Sequence, residues 1–367
     1  MSDKIRSMIV TATMAIILFG TAAWCWMRTP DEYSSAERRR LAVMPELSAD
    51  KIADGSFMSE FESYAADQFP MRDNFRSIKA FSEYNFLRKL DNNGLYAENG
   101  YISEIEYPLN ETMLDHAAER FRYIYDTYIT ENNRVYFSLV PDKNCHIAKQ
   151  SGRLSLDYDE LTLMMRDKTS YMQYIDITGF LEADDYYRTD THWRQERIVD
   201  IAQHIAHEMG TEISGNFEYN ELDHDFHGVY SGQYALEAEP DKLVYLTNDA
   251  IDGCTVTSYS TGSPVTSVVY NMEKSTGRDP YEMFLSGSEP LLVIENPSCK
   301  TGKRLIMFRD SFASSLAPLL IEGYSEITLV DIRYIQTSAL GNFINFEDQD
   351  VLFMYSAILM NNSLALR

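Results

Sequence analysis

The chain has 367 residues, of which 45% are hydrophobic and 13% aromatic, a composition that supports a large folded core and excludes a disordered protein. Its 56 acidic residues outnumber the 32 basic ones and give a net charge of −24. A chain this acidic is repelled by nucleic acid and by anionic lipid, so the composition excludes a nucleic-acid partner.

The N-terminal segment carries the first predicted element. Lys4 and Arg6 precede a run without charges, Met8 to Trp26, that is long enough to cross a bilayer as a helix. The alternative is a cleavable signal peptide, but no small-x-small cleavage site follows the run. We therefore expect residues 1–7 to form a cytoplasmic tail and residues 8–26 a single-pass anchor. Because basic residues mark the cytoplasmic side, the rest of the chain is expected outside the cytoplasm.

A charged segment separates the anchor from the globular part. Residues 27–50 show little apolar periodicity and predict a tether, which leaves residues 51–367 as the folded domain. The apolar spacing within 57–90 predicts two helices separated at Phe69-Pro70. An Asn-Gly pair then predicts a hairpin over 95–102.

Strand and helix patterns alternate from residue 110 onward. Such alternation is typical of a parallel sheet covered on both faces by helices, so the predicted fold class is α/β. The predicted helices lie near 113–130, 156–169 and 194–209, and the predicted strands at 134–140 and 174–177.

A change of pattern interrupts the alternation. Between about 226 and 297, short Val, Tyr and Thr runs separated by Gly, Asp and Ser predict an antiparallel β-rich insertion or lid. The α/β pattern resumes at Leu305, and 326–330 and 351–355 are predicted to supply the last two strands.

The cysteines and histidines offer one disulfide and one metal hypothesis. The wide spacing of the cysteines matches neither a zinc ribbon nor a disulfide-dense scaffold. The sequence leaves open whether Cys254 and Cys299 form a disulfide. His204 and His207 on one helix, followed by 223–227 (DHDFH), are candidate zinc ligands. Their spacing lacks the Glu of H-E-x-x-H, so we predict no metal and no other cofactor.

A strand-to-helix corner carries the only serine in our catalytic hypothesis. Leu305 to Phe308 reads as a buried strand, and apolar residues at helical spacing follow Asp310 and Ser311. Such a corner exposes Ser311 beside the free N–H groups at the start of a helix. The alternative is that Asp310 and Ser311 are ordinary N-cap residues.

A second motif, YYRTDTHW from Tyr186 to Trp193, supplies a base. Asp190 and His192 are two positions apart, so an extended backbone places both side chains on the same face. A carboxylate that accepts a hydrogen bond from one imidazole nitrogen leaves the other free to take a proton from a serine hydroxyl. The sequence therefore predicts a triad of Ser311 as nucleophile, His192 as general base and Asp190 as orienting acid.

These motifs resemble those of the DHHW family and of the related SGNH-like acetyltransferase proteins of alginate O-acetylation. DTHW stands ahead of RDSF, the order found in those proteins and the reverse of that in ordinary SGNH hydrolases. The family's other motifs are matched in order by 61–72 (FESYAADQFPMR), 140–143 (VPDK) and 331–334 (DIRY). The chain departs from the pattern at Arg309, where many SGNH proteins have glycine, and it lacks their Gly and Asn oxyanion blocks.

The resemblance implies an SGNH-hydrolase-like fold and transfer of an acyl group, most simply acetyl, to a hydroxyl of a bacterial cell-envelope or secreted polysaccharide. It also implies a membrane-bound O-acyltransferase partner that supplies the acyl group. Arg333, Lys143 and Tyr187 are further candidates for substrate or oxyanion contacts, each with a structural role as the alternative. A carbohydrate esterase and a non-catalytic polysaccharide-binding or scaffold protein remain the alternative functions.

Overall fold

A computed structural model describes residues 3–367, apart from the side chain of Gln150, so the first two residues of the predicted tail lie outside the described residues. The α-helices are α1 Asp3–Met27, α2 Ala49–Ala53, α3 Ser56–Asp67, α4 Arg72–Asn85, α5 Glu111–Tyr128, α6 Asn144–Ser151, α7 Tyr158–Lys168, α8 Val199–Glu208, α9 Val229–Tyr234, α10 Asp249–Asp252, α11 Met272–Ser275, α12 Ala313–Leu316 and α13 Ala357–Asn361. Short 3₁₀ helices include Pro280–Met283 and Ala317–Gly323.

The strands build one large sheet and three small ones. They are β1 Tyr33–Ser34, β2 Arg39–Arg40, β3 Leu95–Glu98, β4 Tyr101–Glu104, β5 Arg134–Val140, β6 Gln173–Tyr174, β7 Glu218–Phe226, β8 Asp241–Thr247, β9 Thr255–Ser258, β10 Val265–Ser267, β11 Leu291–Glu295, β12 Arg304–Arg309, β13 Glu326–Val330 and β14 Asp350–Ser356. β1 pairs with β2, β3 with β4 and β7 with β8.

The central sheet has eight strands in the order β10-β9-β11-β13-β12-β14-β5-β6. The five strands from β13 to β6 are parallel to one another, which confirms the predicted α/β class. Helices cover both faces. Along β12, Leu305 and Met307 join one apolar core while Ile306 and Phe308 join the other, as alternation along a strand requires.

The β-rich segment is antiparallel, as predicted, but it is not a separate layer. β11 pairs antiparallel with β13, and β9 and β10 follow outward, so these three strands extend the central sheet. The remaining strand, β8, pairs with β7. The 3₁₀ helix Pro280–Met283, from the same segment, reaches the candidate site described below.

The predicted local signals before the sheet are confirmed. α3 and α4 are separated at Phe69-Pro70, and the β3–β4 hairpin turns at Asn99 and Gly100 with positive φ angles of 51° and 84°. That conformation suits an Asn-Gly pair in a two-residue hairpin turn. All four cysteines are free, so the open pairing of Cys254 with Cys299 is not made in the structure.

The described chain divides into two compact units. The first comprises residues 3–93 and 231–237, and the second comprises 94–230 and 238–367. The predicted domain start at residue 51 stays a prediction.

α1 is the apolar helix of the first unit. It is long and apolar enough to cross a membrane, and none of its residues is buried. A signal sequence has the same length and composition, so the helix is compatible with a membrane anchor and does not by itself define its sidedness.

Candidate active site

Ser311 follows the C-terminal end of β12, a strand that has a parallel neighbour on each side. Its neighbour Asp310 fixes the turn, because one carboxylate oxygen accepts a hydrogen bond from Phe312 N at 3.0 Å and the other from Ser356 N at 2.8 Å. Ser356 is the last residue of β14. Asp310 therefore ties the serine turn to the adjacent strand end.

The helix after Ser311 is shorter than the apolar spacing predicts. α12 has four residues and continues as the 3₁₀ helix Ala317–Gly323. Pro318 lacks the N–H that an α-helix would use at this point, which favours the tighter 3₁₀ form. The dipole expected of a long helix is therefore reduced at this turn.

The structure brings Asp190, His192 and Ser311 together. His192 Nδ1 lies 2.6 Å from Asp190 Oδ1, and His192 Nε2 lies 2.8 Å from Ser311 Oγ. Asp190 is 1% exposed and His192 is 8% exposed, so both are shielded from bulk water. With Nδ1–H donating to the carboxylate, Nε2 is left to accept the serine proton.

The backbone around Asp190 is a tight loop, so the predicted extended conformation is wrong. Asp190 Oδ1 also accepts from His192 N at 3.2 Å, and Tyr187 N donates to His192 O at 3.1 Å, which closes the loop. The carboxylate meets the imidazole because it turns back on its own backbone. The two-residue spacing correctly predicts that Asp190 and His192 lie together, but they meet through a turn and not through an extended backbone.

A second segment packs against this loop at Gly228. Gly228 N donates to Thr189 Oγ1 at 2.9 Å, and Val229 N donates to Asp190 Oδ2 at 2.9 Å. A Cβ at position 228 would lie 2.3 Å from Thr189 O and 2.4 Å from Asp190 Cβ. Glycine is therefore required for this approach, which directs a backbone donor at the second carboxylate oxygen.

Lys143 lies beneath the loop. Its ammonium donates to three carbonyl oxygens, those of Tyr187 at 2.7 Å, Arg188 at 3.1 Å and Asp190 at 2.6 Å. The residue is 1% exposed, and burial lowers the pKa of its ammonium to about 7. The structure does not place Lys143 where a substrate reaches it, so we assign it to positioning the Asp190 loop.

The other two predicted contact residues also have structural surroundings. The Tyr187 ring is fully buried and packs edge-on against Phe226 and Tyr281. Arg333 forms a two-pronged ion pair with the buried Asp331, at 2.9 Å and 2.6 Å. This pair matches the structural alternative stated for Arg333.

Arg309, which stands where many SGNH proteins have glycine, is buried next to the serine turn. Its guanidinium donates to Ser314 Oγ at 3.0 Å and to Gly287 O at 3.3 Å. Burial lowers the pKa of this guanidinium from its ordinary value. The side chain thus braces α12 instead of leaving the open space that a glycine would provide.

Tyr281 is the site residue that the sequence pattern did not single out. Its ring stacks on the His192 imidazole with centroids 3.7 Å apart and planes at 6°. Its hydroxyl lies 2.9 Å from Ser315 Oγ and donates to Ser311 O at 3.3 Å. Tyr281 is one of 25 tyrosines, in a segment far from either motif, so no local signal distinguished it.

Tyr281→Leu tests whether the stacked ring orients the imidazole. We expect turnover to fall about tenfold with a folded protein, because the imidazole loses the surface that fixes its plane. Tyr281→Phe keeps the ring and should stay within about threefold of the unchanged chain. Equal losses in both variants, measured with an activated acyl ester, would show that the hydroxyl matters and the stacking does not.

Two histidines of the metal hypothesis lie next to backbone carbonyl oxygens. His204 Nε2 is 3.1 Å from Asp176 O, and His224 Nε2 is 2.9 Å from Ser275 O. Within residues 3–367, no three His, Cys, Asp or Glu side chains converge as a metal site.

The architecture is an α/β fold in which Ser311 follows a strand at the C-terminal edge of the parallel strands, beside the loop that carries Asp190 and His192. A DHHW family protein from Eubacterium siraeum shares the fold with a TM-score of 0.61 and 18% identity, over 75% of this chain and 94% of that one. Bacillus cereus PatB1, solved with a sulfonyl adduct, matches with a TM-score of 0.56 and 18% identity, over 72% and 95%.

The O-acetyltransferase domain of Pseudomonas putida AlgJ matches with a TM-score of 0.45 and 12% identity, over 73% and 92% of the two chains. No family model and no curated protein matches the chain. The comparisons therefore show that this chain shares its fold with the DHHW family protein and with PatB1.

Proposed function

We propose that the protein transfers an acyl group, most simply acetyl, through an acyl-serine intermediate on Ser311 to a hydroxyl of a cell-envelope or secreted polysaccharide. The observation that carries this proposal is the continuous pair of hydrogen bonds from Asp190 to His192 and from His192 to Ser311, at 2.6 Å and 2.8 Å. Both distances lie within the reach that a nucleophile and its base need.

The chemistry proceeds in two balanced halves. Ser311 Oγ attacks the acyl carbonyl while His192 Nε2 takes the hydroxyl proton, and collapse of the adduct releases the donor group with that proton. An acceptor hydroxyl then gives its proton to His192 and attacks the acyl-serine carbonyl, and as the bond to Ser311 Oγ breaks, His192 returns that proton to the serine oxygen. Backbone N–H groups of the turn at Ser311 and Ala313 are the candidate donors to the oxyanion, since Phe312 N is committed to Asp310.

Two observations from similar proteins support this proposal. The fold is shared with a DHHW family protein, the family whose motifs the sequence resembles. PatB1, which has the same fold, was solved with a sulfonyl adduct, and such adducts form when an activated nucleophile displaces a leaving group from sulfur. The same reagents are therefore suitable probes of Ser311.

The proposed location follows from α1. We propose a single-pass anchor in the cell membrane with the Ser311 unit outside the cytoplasm, where a polysaccharide acceptor is available. A membrane-bound O-acyltransferase that delivers the acyl group is proposed on the family resemblance.

Transfer is distinguished from hydrolysis by the fate of the acyl group. The full chain in detergent is incubated with p-nitrophenyl acetate and a panel of oligosaccharides, and acetate and acetylated sugar are quantified. Acetylated sugar that requires Ser311 is the expected result. Release of free acetate alone would assign an esterase, and sugar binding without either product would assign a polysaccharide-binding protein.

Asp190→Asn separates orientation from charge in the triad. The amide keeps the size of the side chain but can leave the imidazole in the wrong tautomer, so we expect turnover to fall by about 10³ to 10⁴. The residual rate should exceed that of a variant without the serine hydroxyl, because the nucleophile is still present. A rate within tenfold of the unchanged chain would remove Asp190 from the mechanism.

A further inference from the structure

α4, in the first unit, presents its apolar side outward. Met71, Phe75, Ile78 and Phe81 recur at helical spacing along one side, and each is more than half exposed, from 52% to 60%. We call these four residues the apolar face of α4. A helix at the surface of a water-soluble unit normally directs such a stripe toward the core.

The opposite side of α4 is polar and packs inward. The side chain of Arg76 is 16% exposed and donates to the carbonyls of Gly232 and Gln233, within the same unit. The side chain of Glu83 is 12% exposed and pairs with Lys79 and Lys89. The orientation of α4 is thus fixed by polar contacts, and the exposed apolar face is not a consequence of a loosely placed helix.

The apolar surface continues beyond the helix. Phe86, Leu87 and Leu90, which follow α4 along the chain, are 74%, 67% and 68% exposed. Scattered exposed apolar residues need no explanation, but a contiguous run of this length marks a surface that is covered in the working protein.

The start of α4 is close to the end of the apolar helix α1. The side chain of Gln68, between α3 and α4, accepts a hydrogen bond from Asp31 N at 2.9 Å and donates one to Asp31 O at 2.8 Å. Asp31 is four residues after Met27, the last residue of α1, and four residues span at most about 14 Å. A bilayer crossed by α1 therefore lies within reach of the corner from which α4 begins.

A second set of contacts makes this connection rigid. Arg39 forms a two-pronged ion pair with Asp67, at 2.8 Å and 2.6 Å, and Ala42 N donates to the same carboxylate at 2.8 Å. The Arg39 guanidinium lowers the pKa of Asp67 to about 2, so this pair persists at neutral pH. The segment predicted to be a tether is thus fastened to the end of α3.

The charge distribution also permits contact with a lipid surface. Residues 28–93 hold twelve acidic and ten basic residues, a net charge of −2, whereas residues 94–367 carry −23. The repulsion from anionic lipid expected for the whole chain therefore arises almost entirely outside the segment that contains α4.

We propose that the apolar face of α4 inserts into the headgroup region of the bilayer that α1 crosses, as a second, interfacial membrane contact. An in-plane helix with aromatic and aliphatic residues on one side and charged residues on the other is the form that such contacts take. The contact would hold the first unit at the membrane surface and would remove the apolar face from water.

Photo-crosslinking of the full chain in lipid nanodiscs tests this contact. The photoreactive residue p-benzoylphenylalanine replaces Phe75 or Phe81, which are aromatic and exposed, so the fold is little disturbed. The same residue replaces Phe343, which is 44% exposed and lies in the second unit, as the matched control. The nanodiscs contain phosphatidylcholine and phosphatidylglycerol, and adducts are identified by mass spectrometry.

We expect lipid adducts at positions 75 and 81 at a yield at least about tenfold above that at 343. Adducts to a second copy of the chain at these positions would overturn the proposal and assign the face to self-association. Equal lipid yields at all three positions, or none at 75 and 81, would also overturn it. Lipid adducts at 75 and 81 that disappear in Ile78→Gln, with adducts from Trp26 replaced in the same way retained, would strengthen the assignment to this face.

Discussion

Ser311→Ala is expected to lower turnover of p-nitrophenyl acetate by about 10⁵-fold or more, to the rate that the remaining site supports without a nucleophile. The substitution removes the one atom that carries the acyl group in the proposed mechanism. The fold should survive, because Ser311 Oγ makes a single hydrogen bond, to His192, whose loss costs about 1 kcal/mol of unfolding free energy. Turnover and a denaturant melt of the same preparation provide both measurements.

A second site variant and a control variant accompany Ser311→Ala. His192→Ala should lower turnover nearly as much as Ser311→Ala, and the double variant should be no slower, since members of a triad act as a unit. Ser298→Ala, at an exposed serine whose hydroxyl donates to Asn296, is the matched control and should leave turnover unchanged. Wild-type turnover in Ser311→Ala would refute the acyl-serine mechanism.

Lys143→Met is expected to lower both stability and turnover. Methionine has a similar length but donates no hydrogen bond, so it leaves the buried carbonyls of Tyr187, Arg188 and Asp190 without the ammonium. At about 1 kcal/mol for each lost partner, the free energy of unfolding should fall by about 3 kcal/mol. Turnover should fall by about 10²-fold because the loop that presents Asp190 to His192 loses its support.

A positioning role for Lys143 predicts a specific kinetic change in addition to the loss of stability. KM for the activated ester should change little while kcat falls, because the loop orients the base and does not bind substrate. Lys149→Met, at an exposed lysine of α6, should change neither unfolding free energy nor kcat. If Lys143→Met is destabilised and the folded protein has unchanged kcat, Lys143 serves the fold alone.

The sheet was predictable because its strands carry their own signal. β5 and β13 begin and end at the predicted residues, and β12 and β14 differ by one residue at each end. These strands are buried on both faces, so their apolar runs are continuous and stand out from the flanking loops. β6 was overestimated, since only Gln173–Tyr174 pairs with β5 at the edge of the sheet.

The proximity of Asp190, His192 and Ser311 was predictable from motif chemistry, but the backbone geometry that produces it was not. Asp190 and His192 meet through a turn in which the carboxylate bonds the His192 backbone, and an extended strand was the simpler expectation for a two-residue spacing. Whether such a segment folds back depends on contacts from elsewhere, here from Gly228 and Lys143. Those contacts join residues that are far apart in the sequence.

The sequence around Lys143 and Tyr281 gives no local signal of the contacts that these side chains make. Lys143 is a candidate for a substrate contact on the family-like VPDK motif, yet in the structure its buried ammonium is held by carbonyls on the later DTHW loop. Tyr281 belongs to the β-rich segment, whose antiparallel strands join the same sheet, and only that topology brings its ring to His192. Long-range packing decided both positions.

The most direct test of the central claim is covalent labelling with phenylmethylsulfonyl fluoride. An activated serine oxygen displaces fluoride from sulfur and keeps the sulfonyl group, so the modified residue can be identified in the digested chain by tandem mass spectrometry. We expect one sulfonyl group, on Ser311, with turnover lost in proportion to labelling and no labelling in His192→Ala on the same timescale. A label on another residue, or full turnover in a chain labelled at Ser311, would contradict the central claim.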